Sequence, residues 1–81
     1  MNEKQLKLQR SLYEEMAVEQ LKSENFQEYK KLQKQGELRA YNKRKGNMMI
    51  KELQTLLPKN PTPQQIAEAN EIVIHHYIIE M

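Results

Sequence analysis

A chain of 81 residues without cysteine forms no disulfide or thiolate metal centre. It is also too short for a deep, water-excluding active site, because a domain of this size buries only about 60–65% of its unfolded surface. Its 13 Lys and Arg against 11 acidic residues give a net charge of +2, too balanced overall to announce a polyanion partner.

That charge is unevenly placed. Residues 1–23 carry four basic and four acidic residues, residues 24–46 seven against three, and residues 47–81 two against four, so the middle is basic and the end acidic. Abundant Lys, Gln, Glu and Leu, with two glycines, three prolines and no Trp, favour helix over sheet. No apolar run approaches the ~18–20 residues of a membrane span. The start Met1-Asn2-Glu3-Lys4 lacks a signal-peptide core and neither end carries a lipidation signal. The expectation is a cytoplasmic, all-α protein without cofactor, metal or membrane partner.

Residues 2–22 read as the first helix, with Leu8, Leu12 and Met16 at i, i+4 spacing and Tyr13 and Ala17 beside them. Ser23-Glu24-Asn25 is read as a break or kink, because Asn25 followed by Glu28 resembles a capping box and an unbroken helix to residue 45 would reach about 65 Å; the alternative is one long helix over residues 2–45 whose apolar face changes sides. Residues 25–45 form a basic helix with Phe26, Tyr29, Leu32, Leu38 and Tyr41 as anchors. Gly36 marks a bend or close approach within it. Lys43, Arg44 and Lys45 fill its last turn, where they complement the helix dipole, and Gly46 takes the left-handed position beyond.

A short helix over residues 48–57 then presents Met49, Ile50, Leu53, Leu56 and Leu57 on one face, and Pro58 ends it. Thr62-Pro63-Gln64-Gln65 combines an N-cap, Pro at N1 and Gln at N3, so an apolar C-terminal helix spans residues 63–80. The two make an αα-hairpin. Ile66, Ala69, Val73 and Tyr77 face it, while Ile72, Ile78 and Ile79 need a second neighbour, which Leu8, Leu12 and Met16 of the first helix or another copy of the chain could supply. The whole is a small helical bundle in a single domain.

The best functional candidate is the basic run Lys30, Lys31, Lys34, Arg39, Lys43, Arg44 and Lys45, interleaved with Tyr29 and Tyr41, against the plainer reading of a solvated helix face. A helix-turn-helix hinged at Lys45-Gly46-Asn47 is disfavoured, because the helix after it would offer only Lys51 as a cation. Ile72, His75, His76, Ile78 and Ile79 form a second candidate, an oligomer or docking surface, with His75 and His76 at i, i+4 from Glu71 and Glu80. Adjacent histidines diverge by about 100° on a helix, so they do not chelate one ion together. No nucleophile elbow or glycine-rich phosphate loop points to catalysis.

In size, helical character and lack of a catalytic site, the chain resembles the small accessory proteins that bacteria and their phages use to bind and modulate larger machines. The sequence-level expectation is a non-enzymatic adaptor, inhibitor or assembly component. Its partner is expected to be a protein with an acidic surface. Nucleic acid bound by residues 30–45 is the alternative, and homo-oligomeric self-assembly a third reading.

Overall fold

The computed structural model describes residues 2–79 and places in them four α-helices: α1 (Glu3–Glu24), α2 (Phe26–Gln35), α3 (Leu38–Leu56) and α4 (Pro63–Ile74). A π-helical turn, His75–Ile79, follows α4. The protein is a small all-α bundle with a C-terminal helical hairpin.

Local chemistry sets most of the boundaries. Asn2 stands outside α1 as its N-cap: its side chain accepts from Gln5 N–H at 2.8 Å, and the Gln5 side chain accepts from Asn2 N–H at 3.0 Å. Asn25 closes α1 through its N–H to Leu21 O and opens α2 by accepting from Glu28 N–H at 3.2 Å, so the expected break falls there. Thr62 and Gln65 make the expected reciprocal box at the start of α4.

The expected basic helix over residues 25–45 is two elements. Gly36, at φ +73°, ends α2: its N–H reaches Gln33 O, and Glu37 N–H reaches Leu32 O at 2.8 Å, the paired bonds of a left-handed helix stop. The expected end at Gly46 and the separate helix over residues 48–57 are corrected too. α3 runs unbroken from Leu38 to Leu56, with Gly46 buried inside it. A Cβ on Gly46 would stand 2.7 Å from Glu14 Cγ and 3.3 Å from Arg10 Cγ, so this glycine serves close passage of α1 over α3. Its helix-propensity cost of about 1 kcal/mol relative to Ala is offset by packing that no larger residue allows.

α1 and α3 share the most extensive contact between elements, and α4 packs on α3. The core is Tyr13, Met49, Ile50, Leu53, Ala69 and Val73, with Leu6, Met16, Leu57, Ile74, Tyr77 and Ile78 packed around it. Tyr13, Met49, Leu53 and Val73 are wholly buried, each side chain contributing about 1.5–3 kcal/mol.

The stripe expected on α1 is corrected in part. Met16 packs on the core, but Leu8 and Leu12 remain 61% and 50% exposed. Tyr13 and Ala17, expected beside them, are buried, in one i, i+4 row with Leu21. The small Ala17 and the absent side chain of Gly46 let the backbones approach on that side, which favours it over the bulkier Leu8 side.

Polar contacts fasten α1 to α4 and to the π turn. Asn70 Oδ1 accepts from Tyr13 Oη and from Gln9 Nε2 at 3.2 Å, and Gln20 Nε2 donates to Ile78 O at 2.7 Å. α4 is regular to Ile74, and its continuation is the π turn. Glu80, and so the expected pair of His76 with it, lies outside the described residues.

Candidate macromolecular interface

Ending α2 at Gly36 distributes the basic run over two helices that meet at a two-residue turn. Lys30, Lys31 and Lys34 are exposed on α2, and Arg39, Lys43 and Arg44 on the first turns of α3. Lys30 Nζ lies 5.5 Å from the centre of the Phe26 ring. Among the described residues no ion pair engages Lys30, Lys31, Lys34, Arg39, Lys43 or Arg44. Unpaired ammonium and guanidinium groups keep their full field for an outside anion.

Three expected members of the site sit deeper. Lys45 is half-buried, and burial lowers its pKa. Tyr41 is half-buried too, and its hydroxyl is raised above the usual phenol value by burial, with Arg44 opposing and Glu28 adding. Tyr29 stacks on Phe26 with ring centres 5.9 Å apart and carries Lys22 Nζ 5.5 Å from its centroid. A cleft of about 290 Å³ lies between α1, α2 and α3, lined by Gln20, Leu21, Glu24, Asn25, Glu28 and Tyr41. Of its two carboxylates, Glu28 acts on Tyr41. The outward face of α3 is formed by Arg39, Ala40, Lys43, Arg44 and Asn47, all exposed.

Sequence reasoning did not assemble Arg39, Ala40 and Asn47 into one face. It placed the helix boundary at Gly46, which assigns Asn47 to a different element from Arg39. Phe26, an expected anchor, is a surface ring 49% exposed at the start of α2.

The second candidate surface is divided. Ile72 and Ile79 are 54% and 66% exposed, whereas Ile78 is half-buried against the core. His75 is exposed, and His76 Nδ1 lies 2.9 Å from Glu52 Oε1, linking the π turn to α3. Exposed Met48 and Leu56 of α3 border two shallow clefts on this side. One, about 320 Å³, is lined by Met48, Lys51, Glu52, Thr55 and Tyr77. The other, about 160 Å³, is lined by Leu56, Pro58, Gln65, Glu68, Ala69 and Ile72. Among the described residues no three His, Asp or Glu side chains converge as a metal site requires, and no helix is long and apolar enough to cross a membrane. No family model, curated protein or solved structure matches the chain.

Proposed function

We propose that this protein is a non-enzymatic, cytoplasmic interaction module that holds an anionic surface of a larger macromolecule at the end of its bundle, between α2 and the first turns of α3. The observation that carries the reading is the set of six exposed cations, Lys30, Lys31, Lys34, Arg39, Lys43 and Arg44, without ion-pair partners among the described residues and carried on the two helices that the turn at Gly36 joins. Charges carried on helices present themselves with less entropy to lose on binding than those of a flexible basic tail. The shallow clefts elsewhere are poor places to exclude water from a reacting group.

The test is affinity capture of the intact protein from its host, with and without nuclease. A partner recovered by the wild type and lost when Lys30, Lys31, Lys34 and Arg39 are all changed to Glu supports the reading. Recovery of the same partner by both proteins contradicts it.

Self-association is a second reading, favoured by exposed Ile72, which lines one cleft with exposed Leu56, and by exposed Ile79 in the π turn after α4. It predicts a mass in sedimentation equilibrium at least twice the 9.7 kDa of one chain. A strictly monomeric species at high concentration contradicts it.

A further inference from the structure

The start of α3 at Leu38 removes the objection that a helix-turn-helix meets in the sequence. With the boundary at Gly46, the second helix carries one cation. With the boundary at Gly36, its first half carries Arg39, Lys43, Arg44 and Lys45. The inward side of that half is taken by Leu38, Tyr41, Asn42, Lys45 and Gly46, each half-buried or buried. What faces outward is Arg39, Ala40, Lys43, Arg44 and Asn47, at i, i+1, i+4, i+5 and i+8, which is one continuous helix face. Eight steps of 1.5 Å make it roughly 12 Å long, comparable to the width of the B-DNA major groove.

The chemistry of that face narrows the partner. Arg39 and Arg44 are suited to the O6 and N7 acceptors of guanine, Asn47 to the N6 and N7 of adenine, and the small Ala40 lets the helix approach closely. Between Arg39 and Asn47 the face holds no acid and no large apolar side chain, and exposed Met48 borders it one turn beyond Arg44. A protein partner held tightly is usually gripped by buried aromatic or aliphatic anchors, and this face offers none. Base stacking of a single strand is poorly served as well, because the exposed Phe26 ring already stacks on Tyr29 and carries Lys30. α2, meanwhile, presents Lys30, Lys31 and Lys34 beside the turn, suited to phosphate contacts that position a protein without reading sequence. The turn, Gly36-Glu37, contains glycine and is one residue shorter than the three or four usual in a helix-turn-helix, and the second helix offers its N-terminal half as that motif does. Residues 24–46, with seven basic against three acidic residues, complement a polyanion.

We infer that α2 and α3 form a helix-turn-helix that reads duplex DNA, with Arg39, Arg44 and Asn47 directed to base edges in the major groove and Lys30, Lys31 and Lys34 on the phosphates. The inference rests on the basic end being the binding surface and names B-form DNA as its anionic partner.

The experiment is fluorescence anisotropy of the intact protein with a randomised duplex of about 20 bp, followed by selection of the preferred sequence and titration over salt. With up to six cations engaged, log K falls against log salt with a slope as steep as about −5. Replacing Lys30, Lys31 and Lys34 together by Ala makes that slope shallower by about 2–3. Arg39→Ala and Arg44→Ala each weaken the selected site about tenfold and flatten sequence preference, and 7-deazaguanine in that site, which removes the N7 acceptor, does the same. Lys59→Ala, an exposed cation beyond the end of α3, leaves both properties unchanged. Three results overturn the inference: no duplex binding at low salt, single strands bound as tightly as duplex, or indifference to 7-deazaguanine and to both arginine substitutions. If duplex binding fails while capture recovers an acidic protein that charge reversal abolishes, only the DNA assignment falls. If charge reversal abolishes no partner, the proposed binding surface falls with it.

Discussion

Gly36 and Gly46 lack side chains for opposite physical reasons, and substitution separates them. At Gly36 nothing lies within 4 Å of a Cβ, but φ is +73°, so Gly36→Ala costs about 1 kcal/mol through backbone strain alone. At Gly46 the backbone is ordinary helix and the space is filled by α1. Gly46→Leu drives α1 and α3 apart and costs about 3 kcal/mol or more, at the upper end of overpacking penalties. Urea denaturation of the two variants checks both values. Tyr13 supplies a pH prediction: burial, and then the charge of Glu52, push its phenol up to about 12. The unfolded chain loses that proton near pH 10, before the folded one, so folding stability is intact below pH 10 and declines as pH rises toward 12. Tyr13→Phe abolishes this component of the decline. It also costs about 1 kcal/mol at neutral pH by removing the hydrogen bond to Asn70.

Among the elements, α2 is the least anchored, since its ten residues include none that is buried. Native-state hydrogen exchange therefore shows the amides of α2 opening at lower free energy than those of α1 and α3, whose facing residues make up much of the core. Equal protection in all helices would contradict the packing described here. Element boundaries were legible in the sequence where the signal is local. Asn25 with Glu28, and Thr62-Pro63 with Gln65, carry their own hydrogen-bonding partners within one turn. The two glycines were not legible, because each follows a basic helical stretch and differs only in whether another helix passes over it. For the same reason the expected stripe of α1 takes in Leu8 and Leu12 together with Tyr13 and Ala17. Both rows have helical spacing, and the nonlocal approach of α3 at Gly46 decides between them. The cations of the candidate site were legible, but their common face was not, since it depends on where α3 begins.

At the scale of the whole molecule, charge and exposed apolar area are found on different surfaces. The cations gather where α2 meets α3, whereas Ile72 and Ile79 lie in the α4 region. Ile72→Glu and Ile79→Glu therefore change unfolding free energy by only about 0.5 kcal/mol, the usual range for surface positions. If self-association uses this side, they reduce the sedimenting mass to that of one chain. The segregation also permits a charge-matched comparison of the binding surface. One variant reverses Lys30, Lys31, Lys34 and Arg39 to Glu; the other reverses Lys4, Lys7, Lys51 and Lys59, so that net charge changes equally. Partner recovery is then compared by quantitative capture from the host. The proposed function predicts loss of the partner from the first variant and its retention by the second, whereas equal loss from both, or retention by both, would contradict a binding surface at the α2–α3 end.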